Sequence, residues 1–356
     1  MDNYVYLDWA STAPVRYFAK DYYIPGNPNS SHAMGLQANQ ALNEARQRIM
    51  DCLGVRSGKV LFCRCATEAV EWLHKVIDKG RLFSQMSCSK YEHDSVYDLR
   101  IAKNNWEDVA KRYTTPLIYL HQYVNQLTGT IFPIESIGKQ VQSTGAFFGS
   151  DFTAAIGHYP LPENLDSFCD AVWFSGHKFG AEPGIGAIWL SDRLFKYLGG
   201  DEDSRNEYGL LHGTPNVSAA VAMSYAMEHA IEDISMMQDR WQNLVFHLQR
   251  MLNKSCVECE LVCNDQPKTY AINALYLPGF NADALVQFLS SKEIYVSPGH
   301  SACSNDAADA TRVLEAFGLT KQEASQTVRI SFGESTTQED IDTLVQGIVE
   351  FKNLFI

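Results

Sequence analysis

Several things are scarce or missing in this sequence. No apolar run approaches the ~18–20 residues needed to span a bilayer. The start, Met1-Asp2-Asn3, has neither a basic stretch nor an apolar core, so no secretory leader is expected. Positive charge is in deficit: 29 Lys and Arg stand against 42 Asp and Glu, a formal net charge of −13. That balance argues against broad, charge-driven binding to nucleic acid or an anionic membrane, while leaving room for a local pocket that takes one phosphate. A paired cysteine framework is also missing. The nine cysteines are an odd number scattered over a long chain, which reads as the reduced thiols of a cytoplasmic protein. There are no internal repeats and no low-complexity tracts.

The 356 residues are 46% hydrophobic and 12% aromatic, enough for a large core and incompatible with global disorder. At about 100–200 residues per domain, two domains are expected. Short apolar or β-branched runs alternate with helical patterns, which predicts an α/β fold with a mostly parallel sheet flanked by helices. Strands are expected at 117–124, 146–150, 171–174 and 185–190. Ala38, Ala41, Leu42, Ala45 and Ile49 recur at helical spacing and predict a helix over 36–50. The stretch 216–253 contains no Gly and no Pro and reads as a long helix that could bound two domains. Beyond it, strands at 271–277, 294–296 and 327–331 and helices at 282–291 and 338–351 suggest a smaller α+β domain. The expected division is a large domain over 15–245 and a small one over 246–356 joined by 1–14.

The chemistry centres on Ser175-Gly176-His177-Lys178, after an apolar strand and before Pro183-Gly184-Ile185-Gly186. A lysine so placed could condense with a carbonyl cofactor; alone, it could equally be a surface lysine. Asp151 ends another apolar run, where a carboxylate could hold a protonated pyridine nitrogen. Open α/β sheets bind ligands at the carboxyl ends of their strands, which is where both residues would lie. Ala66-Thr67-Glu68 opens a helical segment whose amides and Thr hydroxyl could cradle a phosphate, or form an ordinary helix start. His93, after Glu92, could stack on an aromatic cofactor and move protons. Ser297-Pro298-Gly299-His300-Ser301-Ala302-Cys303 is small and polar, a setting that exposes a thiol for chemistry. Arg329 sits inside an apolar run and needs a partner, either a substrate carboxylate or a structural acid. Cys256, Cys259 and Cys263 have a metal-like spacing but no nearby fourth ligand, so a structural reading is preferred and no metal is expected.

In chain order these stretches resemble the cysteine desulfurase family, class-V aminotransferases of pyridoxal-phosphate fold type I. The resemblance runs from Tyr6-Leu7-Asp8-Trp9-Ala10-Ser11-Thr12-Ala13-Pro14 through Gly26-Asn27-Pro28-Asn29-Ser30-Ser31-His32, Ala66-Thr67-Glu68, Ser175 to Lys178 and Ser301-Ala302-Cys303. It ends at Arg329-Ile330-Ser331-Phe332-Gly333. It implies a homodimer that uses pyridoxal 5'-phosphate to remove sulfur from L-cysteine. The products would be alanine and a persulfide, passed to an acceptor or scaffold protein in pathways such as iron–sulfur cluster assembly or thiolation. It implies that Lys178 carries the cofactor and shuttles a proton, Asp151 holds the ring nitrogen and His93 stacks on the ring. Ala66, Thr67, Ser175 and His177 would bind phosphate, and Thr214 would reach the phosphate of the neighbouring subunit. Asn125 would contact cofactor and substrate, Arg329 the α-carboxylate, and Cys303 would attack the substrate sulfur.

The sequence departs from the family at Ala154 (usually Gln), Leu211 (commonly Arg), Ala181-Glu182-Pro183, Asp201-Glu202-Asp203 and Glu334. Several of these remove positive charge, so weaker affinity for anionic partners is expected. A selenocysteine lyase, another class-V enzyme such as a transaminase, or a non-catalytic scaffold of the same fold are the alternatives. Cys303 argues for sulfur transfer, because transamination needs no thiol.

Overall fold

The computed structural model describes residues 4–79, 85–99, 101–103, 118–204, 207–232, 234–299 and 311–356. The chain forms two compact units. One comprises Pro14–Tyr123 and Pro133–Glu232, the other Met1–Ala13, Val124–Phe132 and Asp233–Ile356. They are called the large and the C-terminal unit below. The 216–253 stretch is occupied by two helices, Val217–Glu232 in the large unit and Ile234–Lys254 in the C-terminal unit. Among the described residues no helix is long and apolar enough to cross a membrane.

Strand β1 (Val5–Tyr6) belongs to the C-terminal unit. The next strands are β2 (Lys59–Cys63), β3 (Met86–Cys88), β4 (Ala102–Lys103), β5 (Ile118–Leu120), β6 (Phe147–Asp151), β7 (Ala171–Ser175) and β8 (Gly186–Leu190). These seven form one sheet in the order β2-β8-β7-β6-β5-β3-β4. Every pair from β7 to β4 is parallel, whereas β8 runs antiparallel to both its neighbours. Both faces of the sheet are buried: Trp173, Ile188 and Leu190 join the cluster around Val70 and Leu73, while the alternating Val172, Phe174 and Trp189 are equally inaccessible. Two-sided burial is what a parallel sheet covered by helices requires.

Helix α1 (Ala33–Leu53) extends the expected 36–50 segment at both ends. His32 Nδ1 accepts from the Gly35 amide at 3.2 Å, and Gly54 stops the helix at φ 65°. Its stripe of Ala38, Leu42, Ala45, Ile49 and Leu53 is buried, each of the larger side chains contributing about 1.5–3 kcal/mol. Two more helices bear on the chemistry: α2 (Ala66–Ile77) and the single turn α3 (Asp94–Tyr97).

The C-terminal unit contains β9 (Glu260–Leu261), β10 (Ile272–Tyr276), β11 (Ile294–Tyr295), β12 (Ser297–Pro298) and β13 (Thr327–Ser331). An antiparallel sheet has the order β12-β13-β10-β9, and β1 pairs with β11 in parallel. The helices Ala282–Ser290 and Gln338–Phe355 lie close to the expected 282–291 and 338–351. The latter starts with a capping box formed by Thr337 and Asp340.

Candidate active site

The large unit gathers its chemistry at the carboxyl ends of β5, β6 and β7. Asp151 is the last residue of β6 and is 7% exposed. Its Oδ1 accepts from the Thr153 amide at 2.8 Å. Burial pushes its carboxyl pKa up; hydrogen bonds from Thr153 and the nearby His93 pull the other way without cancelling the rise. A buried carboxylate in this condition is matched to a cationic partner, and a protonated pyridine nitrogen has the right chemistry.

His93 is the N-cap of α3. Its Nδ1 accepts from the Ser95 amide at 3.1 Å and lies 3.0 Å from Ser95 Oγ. That places the proton of the neutral ring on Nε2. Beneath it, Glu92 is fully buried. Its Oε1 accepts from the Gln122 amide at 2.8 Å and from Ser89 Oγ at 3.0 Å. This carboxylate ties the loop after β3 to the end of β5 and so fixes where His93 leaves the sheet. His121, at the same strand end, is held to a pKa of about 4 by burial, and its Nδ1 lies 2.9 Å from the Gln122 carbonyl. Neither the anchoring by Glu92 nor His121 was expected from sequence. The signal available was two polar residues, His121 and Gln122, directly beyond an apolar strand.

Ser175 ends β7, and its buried Oγ accepts from the Ala66 amide at 2.8 Å. The Ala66 N–H, expected to face a phosphate, is therefore engaged by Ser175 in this structure. Helix α2 has Cys65 at its N-cap with no side-chain cap, and Glu68 folds back onto Arg64. Thr67 thus stands in the first turn of a helix that its own N-cap side chain does not cap, where the aligned peptide dipoles favour an anion. Gly186 lets β8 approach this turn: a Cβ there would lie 3.0 Å from Cys65 Cα. His177 and Lys178 follow Ser175 in a helical turn and are half-buried. Burial first, and the Lys178 charge second, hold His177 to a pKa of about 4. Thr214 lies on an exposed loop, outside this hydrogen-bonded cluster.

The expected substrate residues Asn125 and Arg329 belong to the C-terminal unit. Asn125 Oδ1 accepts from the Leu127 and Thr128 amides at 3.0 and 2.9 Å and from Thr128 Oγ1 at 3.1 Å. Its side-chain oxygen is the hub of a tight turn. The turn depends on Gly129 (φ 73°), where a Cβ would meet the Ile272 carbonyl oxygen at 2.2 Å. Arg329, 7% exposed in β13, is paired with Asp8 Oδ1 at 2.7 Å through Nη2, while its Nε is buried without a hydrogen-bond partner. Cys303 lies outside the described residues.

Several departures from the family pattern have structural explanations. Glu182 Oε2 accepts from the Ala19 amide at 2.6 Å, Leu211 packs against the core of the large unit, and Glu202 pairs with Lys59 at 3.4 Å. Arg240 donates to the backbone carbonyl of Glu334 at 2.6 Å, a contact that any residue there would make, so the departure at Glu334 has no structural explanation. Ala154 offers no polar atom in place of the usual amide. Cys256 is exposed, Cys259 and Cys263 are half-buried, and all three are free thiols.

The sequence model described as Aminotransferase class-V matches residues 5–103 and 107–344. A cysteine desulfurase of Trichormus azollae is 29% identical over 365 residues, spanning 94% of this chain and 87% of the relative. The cysteine desulfurase IscS of Pectobacterium carotovorum is 29% identical over 380 residues, spanning 96% and 91% of the two chains. Among solved structures, the NifS-like protein of Rickettsia africae aligns over 99% of this chain and 100% of its own, with a TM-score of 0.84 at 22% identity. The apo cysteine desulfurase of Thermococcus onnurineus aligns over 99% and 96%, with a TM-score of 0.79 at 18% identity. At these identities the structural matches establish the fold of pyridoxal-phosphate fold-type I enzymes.

Proposed function

Because this chain belongs to the class-V aminotransferase family, we propose that it is a pyridoxal-phosphate-dependent cysteine desulfurase. It would convert L-cysteine to alanine and leave the sulfur as a persulfide on Cys303. The observation that carries the reading is Asp151, a buried carboxylate at the end of β6, beside His93 and with its pKa raised by burial. When bound, pyridoxal phosphate supplies an electron sink for the pair released at the substrate α-carbon.

Lys178 is the amine that holds the cofactor carbonyl and moves the α-proton. Asp151 keeps the proton on the ring nitrogen. His93 presents its ring to the cofactor and, with Nδ1 engaged by Ser95, acts through Nε2. Thr67, Ser175 and the neutral His177 hold the phosphate, joined by Thr214 from a second copy in a homodimer. Asn125 fixes the turn on the substrate side, and Arg329 takes the α-carboxylate. The Cys303 thiolate attacks the substrate sulfur. The C–S bond breaks with its electron pair moving to Cβ, which takes up a proton as alanine is formed. A protein acceptor or a reductant then removes the sulfur from Cys303. Removal of sulfur from cysteine fits the names of the curated relatives.

The test is spectroscopic and chemical. Wild-type protein should show a visible cofactor band and yield alanine and sulfide from L-cysteine in the presence of a thiol reductant. Lys178→Ala should abolish turnover. A protein that stays colourless with added pyridoxal phosphate and makes no alanine would leave the non-catalytic scaffold as the better account.

A further inference from the structure

We propose that Asp8 is a positioning residue that aims the Arg329 guanidinium at the α-carboxylate of the amino-acid substrate. The inference deepens the desulfurase reading and rests on it for the identity of the ligand. Arg329 Nη2 donates to Asp8 Oδ1 at 2.7 Å, to Ser11 Oγ at 2.5 Å and to Ser297 Oγ at 3.1 Å. Nη1 donates to the Gln126 carbonyl at 3.2 Å. Ser297 Oγ in turn donates to Asp8 Oδ1 at 2.8 Å and lies 3.3 Å from Ser11 Oγ. Both outer nitrogens of a rigid, planar fork are therefore fixed, and the plane of the guanidinium with them.

The anchor itself is laced to the strand that bears the arginine. Asp8 bridges to Ser331, the Ser331 amide donates to the Leu7 carbonyl at 2.8 Å, and the Ala10 amide donates to Ser331 Oγ at 2.9 Å. Asp8 is thus held two residues along β13 from Arg329.

One donor is left over. Arg329 Nε is buried and has no hydrogen-bond partner. A purely structural ion pair gains nothing from stranding an N–H in this way, because a buried donor without an acceptor is costly. A carboxylate would satisfy it once the surroundings of this buried nitrogen open to admit one. With Asp8 paired to Nη2, fixing the guanidinium plane decides how well a carboxylate fits the fork.

The experiment titrates holoenzyme with L-alanine and with ethylamine, following the visible cofactor band. Ethylamine has the same amine and methyl group without the carboxylate, and neither probe requires sulfur removal. Asp8→Ala is expected to weaken L-alanine binding by about tenfold and to leave ethylamine within about twofold of wild type. Asp8→Asn, which keeps an oxygen acceptor, is expected to restore most of the loss. If Asp8→Ala does not fold, Ser297→Ala removes a second Nη2 acceptor and provides the same contrast. Equal weakening of both probes would reduce Asp8 to a structural role, and tighter L-alanine binding would show that Asp8 competes with the ligand; either result overturns the proposal. Absence of desulfuration alongside the expected contrast would instead count against the reaction and not against Asp8.

Discussion

Asp151→Asn separates catalytic need from structural need, because the two readings predict opposite signs. The substitution keeps the size of the side chain and an oxygen that can accept from the Thr153 amide, 2.8 Å away. It removes the charge. In the holoenzyme, loss of a buried charge matched to the cofactor ring is expected to lower kcat by about 10²–10³-fold, the range for deleting one preorganised electrostatic partner.

In the apoprotein the sign reverses. Burial raises the folded-state pKa of Asp151. The folded protein therefore holds this proton more tightly than the unfolded chain does. That contribution is fully present below the unfolded pKa and is lost as pH rises through the folded value. Above the folded value the ionised carboxylate costs stability, so apo Asp151→Asn should gain on apo wild type as pH rises toward and past that value. The gap should close on acidification, as wild-type Asp151 becomes neutral. Thermal unfolding of both apoproteins across the acid range, with kcat measured on the holoenzymes, provides the assay. An apo variant that falls behind wild type as pH rises, or a gap that does not change with pH, would refute the reasoning.

Two further outcomes follow from the same physics. Gly129→Ala must adopt φ 73° and bring a Cβ to 2.2 Å from the Ile272 carbonyl oxygen; denaturant unfolding should show a loss of about 2–4 kcal/mol, and a loss below about 0.5 kcal/mol would mean that the turn relaxes freely. His121, lowered from 6.5 to about 4, stabilises the fold above its unfolded pKa and loses that contribution as pH falls through the folded value. His121→Gln should accordingly flatten the acid limb of the stability profile by about 3 kcal/mol between pH 6.5 and 4, whereas an unchanged limb would show that the ring is not desolvated as described.

The parts of this protein that sequence made legible are those governed by periodicity and by strand ends. The stripe from Ala38 to Ile49 announced α1, and the polar residues Asp151 and Ser175 marked the carboxyl ends of β6 and β7, although each strand extends one residue beyond its expected end. What remained hidden depends on contacts between residues far apart in sequence. That the Ala66 amide donates to Ser175, 109 positions away, could not be read from either motif alone. The turn that engages Asn125 Oδ1 was hidden because Gly129 holds it against a strand more than a hundred residues on. Arg329 was read as either a ligand site or an ion pair; its nitrogens divide between the two, with Asp8 at one and no partner at another.

The most direct test of the central claim is where the sulfur goes. Holoenzyme is given L-cysteine without reductant, the alanine is counted, and the intact protein and its peptides are weighed by mass spectrometry. The account predicts one added sulfur atom on the peptide carrying Cys303, formed in step with one alanine, and no such addition in Cys303→Ser. Alanine released with the Cys303 peptide unmodified, or the same addition in Cys303→Ser, would contradict it.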